Sequence, residues 1–138
     1  MRKKKLIKAI ESAISNLENS IKSIVNGDTD SIFSCVWGAT AETEYALFLF
    51  ALLCKKEFEE SSWKFSFNQK TDGVTSIINA LNLLKESKKC IGANNSINAY
   101  KKAWVARNHL INVHDFFERA PRSEIQNKLA KNLKLVRS

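Results

Sequence analysis

The chain has 138 residues, 44% of them hydrophobic, and carries a formal net charge of +8. This length supports one domain with a hydrophobic core, so neither disulfides nor a structural metal is needed for folding. Only one Pro and four Gly interrupt the chain, which favours long helices over a sheet. We predict an all-α fold, an antiparallel helical bundle of about five helices with one aromatic-rich loop, in a single domain over residues 1–138.

The first predicted helix runs from about Lys3 to Asn26 and ends at Gly27. Isoleucine or leucine recurs along it at intervals of three and four, at Ile7, Ile10, Ile14, Leu17, Ile21 and Ile24. Such a narrow apolar stripe suits packing in an antiparallel bundle.

The second predicted helix runs from about Ser31 to Phe58 and is the most apolar of the five. It begins amphipathic, with an inner face at Trp37, Ala41 and Phe48. It then becomes apolar on all sides, which indicates the most central helix. Glu44 is the exception on the inner face, and it is our first candidate to neutralise Arg107 in a later helix.

The segment between Glu59 and Asp72 is the aromatic-rich loop. Aromatic and polar residues alternate in it, with Trp63, Phe65 and Phe67 as the aromatic members. The alternation favours an ordered extended loop or short strand. We expect it to cap one end of the bundle.

The third predicted helix follows an Asp72 cap and ends near Gly92. Its inner stripe is Val74, Ile77, Ile78, Leu81 and Leu84. The fourth begins after a cap offered by Asn94, Asn95 and Ser96 and runs to about Arg119, before Pro121.

The fifth predicted helix starts after Ser123. Gln126 completes a possible capping box with that serine. The helix packs through Ile125, Leu129 and Leu133.

Neither export nor membrane insertion is predicted. Lys8 and Glu11 interrupt the apolar stretch that a signal peptide would need after the basic start, so we expect a cytoplasmic protein. The longest apolar stretch, Tyr45 to Cys54, is shorter than the roughly 20 residues of a membrane span. The three cysteines have no CxxC or Cys/His spacing, so we predict no metal site and no cofactor.

Arg107 and His114 are the residues most suggestive of chemistry. They are seven positions apart, so a helix places both on nearly one face. The residues nearest them on that face are largely apolar: Tyr100, Ala103, Trp104, Leu110, Ile111 and Glu118. A guanidinium on such a face must be paired with a carboxylate, line a cleft or be covered by a second chain, because an unpaired buried charge is costly. His109 falls on the opposite, polar side, where we expect a surface residue.

Two basic clusters point to an anionic partner, either RNA or an acidic protein. One cluster is Lys3, Lys4 and Lys5, and the other is Lys128, Lys131, Lys134 and Arg137 on the last helix. They either meet across the fold as a phosphate-binding surface or remain solvated helix faces.

The sequence Arg107-Asn108, followed by His114, resembles the Arg-x(4–6)-His signature of HEPN domains. These are small helical bundles that include metal-independent ribonucleases of toxin–antitoxin and antiviral systems. Asn108 matches the polar residue that often follows the arginine, and Phe116 matches the aromatic two places after the histidine. Six intervening residues are the long limit of the pattern, and four are commoner.

The resemblance implies a homodimer in which both Arg107–His114 sets face a shared cleft. His114 would activate the ribose 2′-hydroxyl or protonate the leaving oxygen, and Arg107 would stabilise charge on the phosphate. Asn108 would orient His114 or the phosphate, and Glu44 would position Arg107. Tyr100 and Trp104 are candidate contact residues, although core or interface packing accounts for them as well.

Three alternatives stay open. Arg107 and His114 form a structural polar set with Glu44, Glu118 or Tyr100 and do no chemistry. The protein binds RNA without cleaving it. The segment from Trp37 to Phe48 also resembles the helical immunity proteins that bacteria make against contact-delivered toxins, in which case the protein binds and neutralises an acidic toxin.

Overall fold

The computed structural model describes residues 2–54 and 71–137, and the predicted all-α class is confirmed over that part of the chain. These described residues form five helices and no strand. They are α1 (Arg2–Asn26), α2 (Thr29–Leu53), α3 (Gly73–Gly92), α4 (Ser96–Arg119) and α5 (Arg122–Arg137).

Side chains at the helix starts explain the boundaries. The Asp72 carboxylate accepts a hydrogen bond from the Thr75 amide at 2.7 Å, and the Asn95 side chain accepts one from the Asn98 amide at 3.3 Å. Both caps satisfy amides that have no partner within the helix, as predicted. Gly27, with a φ of +75°, makes the left-handed turn that ends α1.

The predicted capping box of α5 is wrong. The helix begins at Arg122, before Ser123. Gln126 instead donates from Nε2 to the Ile24 carbonyl oxygen at 2.8 Å. A side chain expected to serve its own helix therefore satisfies a carbonyl at the end of α1.

The first four helices form a bundle in the cyclic order α1, α2, α4, α3, with all neighbours antiparallel. Two ion pairs show that α3 runs antiparallel to α1, because Glu18 meets Lys85 and Glu11 meets Lys88. The loop between α1 and α2 and the loop between α3 and α4 each join adjacent helices. α2 and α3 are thus diagonal and parallel, so α2 ends and α3 begins at opposite ends of the bundle.

Two predictions for the segment between α2 and α3 fall on residues outside the described part of the chain. This applies to the aromatic-rich loop with Trp63, Phe65 and Phe67. It also applies to the predicted end of the second helix at Phe58, whereas α2 ends at Leu53.

α5 closes the end of the bundle where α1 ends and α3 begins. Leu129 lies so close to the start of α3 that a Cβ atom at Gly73 would come within 2.8 Å of its Cδ2 atom. Arg122 forms an ion pair with Asp30 in the first turn of α2. The predicted packing residues Ile125, Leu129 and Leu133 are all buried.

The inner face of α4 differs from the prediction by about one residue around the helix. Its buried residues are Ala99, Ala103, Ala106, His109, Leu110 and Val113, whereas the predicted face was centred on Arg107. Three alanines let the backbone of α4 approach its neighbours, because small side chains permit close packing. His109 is 2% exposed, so its predicted surface position is wrong.

α2 is not the most central helix. The predicted inner face is wrong, because Trp37 is 62% exposed and Phe48 58%, and Ala41 is exposed as well. The helix buries the opposite face, which includes Val36, Thr43 and Phe50. Apolar residues on all sides of this helix therefore do not mean burial on all sides. Among the described helices, none is long and apolar enough to cross a membrane.

Candidate active site

The predicted pairing of Glu44 with Arg107 is confirmed. Arg107 Nε on α4 donates to Glu44 Oε1 on α2 at 2.5 Å, and both side chains are partly exposed. The antiparallel packing of these two helices brings together residues 63 positions apart in the sequence. The guanidinium lies at the edge of the core, where a carboxylate and water share its solvation.

His114 lies farther along α4 and bonds to the same neighbouring helix. Its Nε2 atom is 2.8 Å from the Thr40 hydroxyl oxygen, while that hydroxyl lies 2.9 Å from the Val36 carbonyl oxygen, to which it donates. Because the hydroxyl has one hydrogen and gives it to Val36, it accepts from His114. The imidazole is therefore protonated on Nε2, and in its neutral form the lone pair is on Nδ1.

Burial sets the charge of His114. Desolvation lowers the pKa of the imidazole below its ordinary value, and the carboxylates of Glu118 and Asp115 partly oppose that shift. The lowered pKa keeps the ring neutral near pH 7, so it can accept a proton there.

An open cleft of about 340 Å³ adjoins His114, and we call it the His114 cleft. Its lining residues are Phe33, Trp37, His114, Phe117, Glu118 and Arg122. The Trp37 ring lies against the imidazole with their centroids 4.2 Å apart. The Arg122 guanidinium stacks over Phe33 at 4.6 Å. The cleft thus combines aromatic walls, a neutral histidine, the Glu118 carboxylate and a guanidinium that is also paired with Asp30.

Sequence reasoning missed Thr40 and Arg122. Thr40 precedes Glu44 by one helical turn on α2, so the spacing already placed both beside the same part of a neighbouring helix. Arg122 follows the predicted helix stop at Pro121, and only the reversal of the chain there returns it toward His114.

Asn108 is not brought to His114. Its Nδ2 atom donates to the Trp104 carbonyl oxygen at 3.1 Å, within its own helix. Tyr100 packs edge-on against Phe50, with their ring centroids 5.8 Å apart. Burial raises the pKa of Tyr100, and the charge of Arg107 partly opposes that shift. Trp104 is partly buried on the same helix.

The two basic clusters do not adjoin. Lys3, Lys4 and Lys5 lie at the start of α1, and Lys3 Nζ is 3.2 Å from Asn94 Oδ1. Arg137 lies beside Lys22 near the end of α1, which is roughly 28 Å from Lys3 along the helix axis at 1.5 Å per residue. The phosphate-binding surface expected from their meeting is therefore not formed.

The members of the second cluster differ in their surroundings. Lys128 pairs with Glu124 of its own helix at 3.5 Å. Lys134 and Arg137 line an apolar groove with the end of α1. Lys131 is exposed on α5.

No protein-family model, curated protein or solved structure matches this chain. Within residues 2–54 and 71–137, no three His, Cys, Asp or Glu side chains converge as metal ligands.

Proposed function

We propose that this protein is a HEPN-like endoribonuclease of a bacterial toxin or defence system, with His114 and Arg107 as its acting side chains. The observation that carries the proposal is the state of His114. Its Nε2–H is held by Thr40, its pKa is lowered by burial, and it lines a cleft next to an exposed tryptophan. A neutral imidazole held in one orientation beside a binding cleft can act as a general base.

Two guanidiniums accompany the imidazole, Arg107 on the same helix and Arg122 at the start of α5. Arg107 precedes His114 by seven residues, or roughly 10 Å along the helix axis, and Arg122 lines the His114 cleft itself. A single-stranded RNA backbone following α4 would meet both guanidiniums, each suited to a phosphate. RNA is accordingly the proposed partner.

The proposed reaction is attack of a ribose 2′-hydroxyl on the adjacent phosphorus. His114 Nδ1 takes the hydroxyl proton as the bond from the 2′-oxygen to phosphorus forms. The bond from phosphorus to the 5′-oxygen breaks, and that oxygen receives the proton back from the imidazolium. The products are a 2′,3′-cyclic phosphate and a 5′-hydroxyl. Arg107 stabilises the charge that grows on the phosphate oxygens.

Thr40 and Glu44 are positioning residues in this scheme. Thr40 fixes the tautomer and orientation of His114, and Glu44 holds the guanidinium of Arg107. Asn108 has no proposed role in the reaction, because its side chain bonds to its own helix.

The test is cleavage of a fluorescent single-stranded RNA in EDTA, with mass spectrometry of the fragment ends. We expect His114→Asn to lose about 100-fold or more in rate, the range that a lost general base produces, and Arg107→Ala to lose about 10-fold or more. Arg119→Ala, another arginine substitution on α4, is the matched control and should keep the rate. An inactive wild-type protein, or a His114→Asn variant that is helical and fully active, contradicts the proposal.

Inhibitory protein binding is the second candidate, and the exposed aromatic residues of α2 favour it. Trp37 and Tyr45 belong to residue types that anchor protein interfaces, and the net charge of +8 suits an acidic toxin. In this case His114→Asn would leave function intact, whereas Trp37→Ala would weaken protection of cells that express the toxin.

A further inference from the structure

An apolar groove with a basic rim lies between the last turns of α1 and the second half of α5, and we call it the α1–α5 groove. It consists of two adjoining open hollows, of about 420 Å³ and about 240 Å³, that share Val25 and Arg137. None of its lining residues lines the His114 cleft. The groove is therefore a second concave surface, separate from the proposed ribonuclease site.

The walls of the α1–α5 groove are apolar and come from both helices. They are formed by Ile21, Ile24, Val25, Ala130 and Leu133. Ile24 and Leu133 are almost fully buried, whereas Val25 is 62% exposed. The Gln126 side chain bonds to the Ile24 carbonyl oxygen and ties the two helices together beside the groove. A ligand with apolar side chains would gain free energy by covering this surface.

Three cations surround the apolar walls, Lys22 from α1 and Lys134 and Arg137 from α5. Of the described residues that line the two hollows, none is acidic, whereas Glu118 lines the His114 cleft. The ion pairs within residues 2–54 and 71–137 are made by other lysines and arginines. The groove thus concentrates positive charge, and several carboxylates from a ligand would complement it.

The combination of recessed apolar walls and three cations selects among anionic ligands. Nucleic-acid interfaces are more polar than these walls. Proteins that bind a lipid surface insert protruding apolar side chains into it, whereas Ile24 and Leu133 are recessed. A fatty acid has one carboxylate for three cations. An amphipathic helix with acidic residues beside its apolar face satisfies both features, because such helices lay that face into apolar grooves.

We infer that the α1–α5 groove binds an acidic amphipathic helix of a partner protein. Apolar side chains four residues apart on a helix lie roughly 5–6 Å from each other, so two of them fill the two adjoining hollows. Carboxylates that flank those side chains pair with Lys22, Lys134 and Arg137. This binding is independent of RNA cleavage and of toxin binding through Trp37.

Fluorescence anisotropy with synthetic peptides tests the chemistry of the ligand. The probes are fluorescein-labelled helical peptides of about 15 residues, with Leu, Ile or Phe at positions i and i+4 and Glu at the flanking positions. Each has a counterpart with Lys in place of Glu. We expect the full chain to bind the acidic peptides saturably, about tenfold or more tightly than their counterparts, and less tightly as salt rises. Acidic peptides that bind no better than their counterparts overturn the inference.

Two pairs of variants test the location. Arg137→Glu should weaken binding of the acidic peptide about tenfold or more, because it brings like charges together. Lys131→Glu makes the same charge change on the same helix outside the groove, so it should weaken binding less than about threefold. Val25→Asp should likewise weaken binding more than Val136→Asp, whose residue is exposed but does not line the groove. Equal losses within both pairs mean that net charge alone attracts the peptide, and overturn the inference.

Sedimentation with vesicles of phosphatidylserine and phosphatidylcholine tests the lipid alternative. Vesicle binding that Arg137→Glu removes, without binding of the acidic peptide, would assign the groove to a lipid surface and overturn the inference. Because RNA cleavage is measured in a separate assay, peptide binding by a chain that cleaves no RNA refutes only the proposed function. Cleavage of RNA by a chain that binds no acidic peptide refutes only the assignment of the groove.

Discussion

Replacing Thr40 by Val tests whether the Thr40 hydroxyl holds His114. Val has the shape of Thr without the hydroxyl, so the change removes the acceptor 2.8 Å from His114 Nε2 and leaves the packing in place. A donor that loses its partner away from water costs about 1–3 kcal/mol. Because His114 is only partly buried and water replaces some of the bond, we expect the lower end, about 1 kcal/mol.

Thr43→Val is the matched control. The Thr43 hydroxyl donates to the Ala39 carbonyl at 2.7 Å, as the Thr40 hydroxyl does to Val36, but no histidine bonds to it. The Ala39 carbonyl also belongs to the backbone hydrogen-bonding pattern of the helix, so loss of the Thr43 hydroxyl leaves no group unpaired. We expect a change in the free energy of unfolding within about 0.5 kcal/mol of zero.

Urea denaturation at pH 7.5 measures both variants, and ¹⁵N chemical shifts of the imidazole report the tautomer directly. Wild-type His114 should be protonated on Nε2, and Thr40→Val should give a mixture of tautomers. Equal unfolding free energies for the two variants, or a wild-type imidazole protonated on Nδ1, would refute the hydrogen-bond assignment.

Two further predictions concern stability. Leu129→Ala should lower the free energy of unfolding by about 2–4 kcal/mol, because Leu129 is fully buried against Gly73 and its loss leaves a cavity. Leu135 is 68% exposed on the same helix, so Leu135→Ala should change the free energy of unfolding by less than about 0.5 kcal/mol. Equal changes for the two variants in urea titrations would mean that α5 is not docked. Burial lowers the pKa of His109 and of His114, so below about pH 6.5 the unfolded chain binds protons that the folded chain does not, and stability should fall as the pH drops from 7.5 to 5.5. His109→Asn should flatten that fall, and an unchanged slope would count against burial as the cause of the shift.

Local sequence signals predicted the five described helices, although the predicted start of α5 was wrong. The three-and-four spacing along α1, the Asp72 and Asn95 caps and the stop at Pro121 each depend on residues within one or two turns. The same reasoning placed Arg107 and His114 on nearly one side of α4, because helical periodicity fixes the angle between them. It also identified Glu44 as the partner of Arg107, since an arginine on an apolar face needs a carboxylate, although the pair lies at the edge of the core rather than inside it.

Tertiary structure decided which side of each helix is inside. The centre of the buried arc of α4 is at Ala103 and Ala106 rather than at Arg107, because small residues allow closer helix contact than the large residues that dominate an apolar pattern. His109 is buried because it lies on this same arc, between Ala106 and Val113. The apolar second half of α2 indicated burial, but periodicity cannot say whether a domain's own helices or another molecule covers a face.

The His114 cleft was beyond sequence reasoning because it joins three separate parts of the chain. Thr40 and Trp37 come from α2, His114 from α4, and Arg122 from α5 after the chain reverses. Single-helix geometry fixes distances within a helix, whereas the order of helices around the bundle fixes which side chains meet across it. The sequence by itself therefore determined the helices and the Arg107–His114 spacing, and only the packing of α2, α4 and α5 brought the candidate site together.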